Sequence, residues 1–126
     1  MNEIFYAVHG YKFDNYWIGK KFFFNEGSLV RVGFDYNKVM ELNKKIPLLG
    51  FYHTHPNMKA YPSIIDDNTM NTWFNTMGKP LICLIKGSDG LKNWVWWNDE
   101  LTDLYEGKVK KIGDLFFGTY GDDYIE

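Results

Sequence analysis

Cysteine is almost absent from this sequence. Its 126 residues hold one, Cys83, so no internal disulfide can form and stability has to come from packing. Cys83 sits between Leu81-Ile82 and Leu84-Ile85, apolar neighbours that raise a thiol pKa, and reads as a small buried hydrophobe rather than a nucleophile. Long apolar runs are missing as well, and nothing approaches the ~20 residues of a membrane-spanning helix. Met1-Asn2-Glu3-Ile4-Phe5 lacks the layout of a signal peptide, so a reducing, cytoplasmic setting is expected. Charge of either sign is not in excess: the net charge is −2 and the pI near 5.9. The only basic cluster is Lys108, Lys110 and Lys111, a solvated face, and nucleic acid is not an expected partner. There are no repeats, low-complexity stretches or linkers. What abounds is aromatic side chains, 19% of the residues within a 45% hydrophobic total, enough to build one core and a single domain over 1–126.

The patterning predicts strands first. Residues 3–9 are rich in aromatic and β-branched types and stop at Gly10; Lys12 to Asn15 is a polar turn. Tyr16-Trp17-Ile18 and Lys21 to Phe24 continue in strand, with the Phe22-Phe23-Phe24 triplet divided between core and edge. Asn25-Glu26-Gly27-Ser28 reads as a turn, and Leu29 to Phe34 alternates with Val30, Val32 and Phe34 on one face. Asp35 is a plausible N-cap for a helix over 36–45 that Pro47 ends. A second helix is expected over 64–77, burying Asp66, Met70, Trp73, Phe74 and Met77 and closed by Gly78. Residues 81–86 make a buried strand that turns at Gly87-Ser88-Asp89-Gly90 and pairs back over Asn93 to Trp97. Trp94, Trp96 and Trp97 are read as core and rim. The span 98–107 is expected to be loop or short helix, Val109 to Phe117 a last strand, and 118–126 an acidic, frayed tail. The order gives an α/β (α+β) domain with a mixed sheet and helices against it.

The chemistry concentrates in Gly50-Phe51-Tyr52-His53-Thr54-His55-Pro56, followed by Ser63 and Asp66. Side chains at i and i+2 of a strand share one face about 6.5–7 Å apart, so two imidazoles there can converge on one ion. On a helix the same pair would diverge. Leu48 to Tyr52 supplies an apolar strand, and Pro56, with no amide hydrogen, should end it. A catalytic zinc takes three protein ligands and leaves a fourth position open; His53, His55 and Asp66 make such a set, with residues 56–62 turning the chain back. The plainer reading of Ser63-Ile64-Ile65-Asp66 is a helix capping box. His9 stands alone and is read as structural.

The run from His53-Thr54-His55-Pro56 to Ser63-Ile64-Ile65-Asp66 resembles the JAMM motif of the MPN+ metalloproteases, the JAB/MPN family, whose pattern is H-[ST]-H-P-x6-S-x-x-D. Every fixed position matches. The resemblance implies a mixed, curved sheet flanked by helices in a cytidine-deaminase-like three-layer arrangement. It also implies zinc held by His53, His55 and Asp66, with Ser63 helping to bind an oxyanion. The implied activity is hydrolysis of a peptide or isopeptide bond, with a protein or peptide substrate, typically at the C-terminus of a ubiquitin-like protein. The family also uses a glutamate on an early strand. Glu3, with Gly10 seven positions on, fits best; Glu26 in its expected turn and Glu41 on the intervening helix are the rivals. The resemblance is strongest over 3–86. Two departures stand out: only Met1 and Asn2 precede Glu3, so the sheet lacks an edge or has it covered by a C-terminal strand or a partner subunit. There is also little room for the long insertions of eukaryotic members. A minimal, prokaryotic or phage-type domain is implied. A metal-binding interaction module without catalysis, and the same hydrolysis on a non-ubiquitin amide, stay open as alternatives. The oligomeric state is not legible.

Overall fold

The computed structural model describes residues 3–27, 35–96 and 104–120. Its elements run β1 (Glu3–Lys12), β2 (Tyr16–Gly27), α1 (Tyr36–Asn43), β3 (Leu48–Thr54), α2 (Ile64–Met77), β4 (Leu81–Gly87), β5 (Gly90–Trp96), β6 (Leu104–Gly107), β7 (Val109–Ile112) and β8 (Leu115–Thr119). The strands form one sheet in the order β6-β5-β4-β3-β1-β2-β8-β7, so the α+β class expected of the sequence is what the chain builds. Only β3 and β4, joined by α2, are parallel; the remaining neighbours pair antiparallel.

The two faces of the sheet have separate cores. On one, Ala7, Phe51, Cys83, Ile85, Trp94 and Trp96 pack under Val39 of α1 and Met70 and Trp73 of α2. On the other, Val8, Trp17, Leu49, Tyr52, Ile82, Leu84, Val95, Phe116 and Tyr120 pack together with no helix among them. The layer opposite the helices is therefore made by the sheet curling over itself. The two ends of the strand order meet: Asn93 Nδ2 in β5 donates to the Thr119 carbonyl at 2.6 Å, and the Lys108 N–H, between β6 and β7, donates to Thr119 Oγ1 at 2.8 Å.

Both helices carry the caps their sequences advertise. The Asp35 side chain accepts from the Lys38 N–H, and α1 ends two residues earlier than expected, at Asn43, whose side chain accepts from the Leu48 N–H. Gly78 closes α2 in the left-handed conformation, φ 66°.

Several expectations are corrected. Asn25, Glu26 and Gly27 are not a turn but the end of β2, pairing with Phe5, Ile4 and Glu3. A bulge at Phe23, at φ 58°, shifts the register between Phe5 and Ala7 and turns its ring toward the helix-side core. Residues 104–107 are strand rather than loop or helix. The single strand expected over 109–117 is the hairpin β7–β8, turning at Gly113-Asp114. Gly118 and Thr119 belong to β8 and Tyr120 is buried, so the tail does not begin at 118. Of the alternatives expected for the early edge, a C-terminal strand covering it is the one found: β8 pairs with Tyr16 to Gly19 of β2. The strand expected over 29–34, the segment 98–103, Trp97 and residues 121–126 lie outside the described residues.

Candidate metal centre

His53 and His55, two residues apart at the end of β3, share one face, and the strand carries a bulge near its start. His9 pairs with Leu48 and Val8 with Gly50, which leaves Leu49 as the extra residue of a bulge. Gly50 takes φ 154° there, and a Cβ on it would meet the Ile82 carbonyl oxygen at 1.8 Å, so only glycine fits. Beyond the bulge, Phe51 and His53 face the helices. His55 follows the strand, its N–H donating to the Lys86 carbonyl at 2.8 Å. From the other side comes Asp66, in the first turn of α2. Its Oδ1 lies 3.2 Å from His53 Nε2 and its Oδ2 3.1 Å from His55 Nε2, with all three residues buried.

The capping box is also present. Ser63 Oγ accepts from the Asp66 N–H at 3.1 Å, and Asp66 Oδ2 accepts from the Ser63 N–H at 2.8 Å. The two readings of Ser63 and Asp66 are thus compatible: a carboxylate has about four lone-pair directions, and the cap uses one of them to aim the rest.

His55 Nδ1 lies 3.0 Å from the Lys59 carbonyl, which can only accept, so Nδ1 carries a hydrogen. A neutral His55 then turns the lone pair of Nε2 toward a carboxylate that also only accepts. A second proton or a cation has to lie between them. His53 makes the same point differently: among the described residues its Nδ1 has no hydrogen-bond partner, and its Nε2 lies 3.2 Å from Asp66 Oδ1. Two ligand atoms on a tetrahedral ion, each about 2.0–2.1 Å from it, lie roughly 3.3 Å apart. The spacings at Asp66 match that, and the donor set fits a metal ion. A backbone carbonyl fixing the tautomer of His55 is the usual outer support of a ligating histidine.

Glu3 joins the group. A carboxylate oxygen of Glu3 and one ring nitrogen each of His53 and His55 all lie within 4.8 Å of one another, and Glu3 is buried. The cause is register: Phe5 pairs with His53, which sets Glu3, two residues on and on the same face, beside His55. Phe5 itself stacks on the His53 ring, 5.2 Å between centroids. Burial raises the Glu3 pKa above the ordinary carboxylate range, against the pull of the two histidines. Burial would raise Asp66 too, but His53, His55 and the Ser63 N–H outweigh it and hold that carboxyl well below its usual value. For His55, burial acts to lower the pKa; Asp66 and the Lys59 carbonyl overcome it, and the net direction is up. Neither rival glutamate belongs to this group of ligand atoms. Glu26 is exposed on β2 opposite Ile4, and Glu41 is exposed on α1 beside Phe23, Lys38 and Lys45. Cys83 is buried behind the site, its thiol pushed well up by burial. His9 lies apart, donating from Nδ1 to the Ile46 carbonyl at 2.9 Å.

An open groove leaves the site along the ends of β1 to β4, lined by Ile4, Glu26, Thr54, His55, Pro56, Asn57, Lys86, Gly87 and Ser88. One wall is the loop over 56–62, which is fastened to the β4–β5 turn. The Ser88 N–H donates to the Met58 carbonyl, the Ala60 N–H to Asp89 Oδ1, and Trp94 Nε1 to the Ala60 carbonyl. In the sequence, Ser88 and Asp89 read as turn residues and Trp94 as core and rim. Their grip on the loop joins residues about thirty apart and leaves no local signature.

A model of the family described as prokaryotic homologs of the JAB domain matches residues 14–99, more than half of the chain. The matched stretch contains His53, His55, Ser63 and Asp66; Glu3 precedes it. No curated protein matches the sequence.

Proposed function

From a chain that belongs to the family of prokaryotic homologs of the JAB domain, we propose a zinc-dependent hydrolase that cuts a peptide or isopeptide bond. The observation that carries the reading is the convergence of His53 Nε2, His55 Nε2 and the Asp66 carboxylate at 3.1–3.2 Å with the buried Glu3 beside them. Zinc held by His53, His55 and Asp66 would lower the pKa of a water molecule and polarise the carbonyl under attack.

The remaining work falls to the chain's own groups. Glu3, kept basic by burial, takes a proton from the attacking water and delivers it to the departing amine. Ser63 Oγ already accepts from the Asp66 N–H, so its single O–H is left to donate to the oxygen that becomes negative. In this reading the open groove lined by Ile4, Glu26, Thr54 and Lys86 to Ser88 is where an extended chain would lie. An extended C-terminal tail, as on a ubiquitin-like protein, is the substrate that such an open channel suits.

The test joins metal analysis to turnover. The purified protein is expected to hold one zinc and to cleave a ubiquitin C-terminal aminocoumarin amide or a panel of ubiquitin-like C-terminal fusions. Glu3→Gln is expected to keep the metal and lose at least 100-fold in rate, within the range usual for positioned acid–base groups. Full turnover after that change, or a protein that takes up no metal, sinks the reading.

One observation favours a second reading. Glu3 lies close enough to both histidines to be a fourth ligand, and a closed four-ligand set is typical of structural zinc. The domain would then be a metal-stabilised interaction module. In that case Glu3→Gln weakens zinc binding sharply instead of leaving it intact.

A further inference from the structure

Resting on the hydrolase reading, we infer that Thr54, the residue between the two histidines, is the positioning residue that holds Glu3 at the site. The β1–β3 ladder ends at Phe5↔His53. One step further, where Ile4 faces Thr54, the Ile4 N–H donates to the Thr54 hydroxyl oxygen at 3.0 Å, across fifty residues of sequence. A side chain thus replaces the backbone acceptor at the place where the β1–β3 pairing ends while β3 stays paired with β4. Ile4 is bonded to Glu3, so this contact fixes the peptide unit from which the Glu3 side chain springs. On the far side Glu3 pairs with Gly27, the last residue of β2, and Thr54 is the contact that ties Glu3 to the strand carrying the histidines.

The residue type suits the task. A β-branched side chain has restricted χ1, so the hydroxyl is held in one place by the strand itself. Neither neighbour can substitute for it, since His53 and His55 point to the helix-side face and Thr54 alternates away from them. Thr54 also lines the groove, so Ile4 and Thr54 together form the rim where β1 meets the histidine strand. Displacing a catalytic group by about 1 Å can cost 10²-fold in rate, which gives one neutral hydrogen bond a disproportionate effect on turnover.

The experiment compares Thr54→Val, which keeps the shape and removes the acceptor, with Thr54→Ser, which keeps the acceptor, and Glu3→Gln as reference. Two readouts are taken on the full chain. The first is hydrogen exchange of the Ile4 amide by NMR in protein stripped of metal. Thr54→Val is expected to speed it by about 5-fold or more, the equivalent of one lost hydrogen bond, while Thr54→Ser leaves it within 2-fold. The second is steady-state cleavage of the ubiquitin C-terminal aminocoumarin amide. Thr54→Val is expected to lower kcat by about 10- to 100-fold with KM and zinc content unchanged, and Thr54→Ser to recover most of it. Unchanged Ile4 exchange in Thr54→Val overturns the inference whatever the activity. So does full kcat in Thr54→Val when Glu3→Gln is dead, and the hydrolase reading then survives. Full turnover in Glu3→Gln removes that reading, and the role assigned to Thr54 falls with it.

Discussion

Ser63 and Asp66 cap α2 with the same atoms that the hydrolase reading assigns to the chemistry. Ser63→Ala removes the N-cap acceptor and the O–H donor together. It should lower unfolding free energy by about 1 kcal/mol in urea titrations and reduce turnover by about 10²–10³-fold, with zinc content unchanged. Ser63→Thr should restore both. A protein that loses the helix cap yet keeps its rate would remove Ser63 from the chemistry. His9 carries a different consequence. Burial lowers its pKa from the ordinary 6.5, with the Ile46 carbonyl pulling the other way. The unfolded chain therefore binds the proton more readily than the folded one. The contribution of His9 to stability is complete above about 6.5 and is lost as pH falls through that value toward the depressed folded pKa. His9→Asn keeps a donor to the Ile46 carbonyl and cannot titrate, so its urea midpoint should fall less between pH 7 and 5 than that of the parent. Equal slopes would show that His9 titrates alike in both states.

At the scale of elements, the loop over 56–62 matters most, because the Lys59 carbonyl within it sets the tautomer of His55. A Cβ on Gly87 would meet the Ala60 nitrogen at 2.4 Å and the Met58 carbonyl oxygen at 2.6 Å, all backbone. Gly87→Ala should therefore push the loop off the β4–β5 turn. The expected result is a loss of about 1–3 kcal/mol from overpacking and about 10- to 100-fold weaker zinc binding through the displaced support of His55, read by competition with a chelating dye. What was legible in the sequence follows the same division. The histidine strand, α2 with both its caps, and the β4–β5 hairpin were readable because their signals are local: a period, a cap, a turn. The end of β2 was misread because Asn25 and Gly27 look like turn residues, although they pair with Phe5 and Glu3. β6, β7 and β8 were blurred because they are four or five residues long, and the lysines of β7 give an edge strand the composition of a loop. At the site, the motif supplied His53, His55, Ser63 and Asp66. The motif includes Thr54 but not its task, since the Ile4 N–H it accepts lies fifty residues away; Lys59 and Asp89 fall outside the fixed positions and support the site through a backbone carbonyl and a side-chain oxygen.

For the whole molecule, a metal held at the site would link three elements, since β1, β3 and α2 all send side chains to one point. A ligand at 1,000 times its Kd adds about 4 kcal/mol. Chelation should accordingly lower the thermal midpoint of the wild type and leave that of Asp66→Ala, expected to lack the metal, unmoved. An identical midpoint for the wild type with and without chelator would uncouple the site from stability. The seam of the curled sheet offers a separate measurement. Asn93→Ala leaves the buried Thr119 carbonyl without the Asn93 donor and should cost about 1–3 kcal/mol while leaving zinc content intact.

That seam also dictates an order of events as the chain is made. β2 waits for β8, whose Phe116 to Thr119 pair with Gly19 to Tyr16, about a hundred residues later. Contacts so distant in sequence form slowly, because the entropy of closing the loop is lost before any pairing offsets it. Throughout synthesis up to residue 119, the outer edge of β2 and the indole of Trp17, fully buried at the end, stay open to other nascent chains. The histidine strand can meet β4 early, but the curled half of the sheet is a late achievement. Yield in the cell should therefore track how quickly the last hairpin docks rather than the fate of the histidine site.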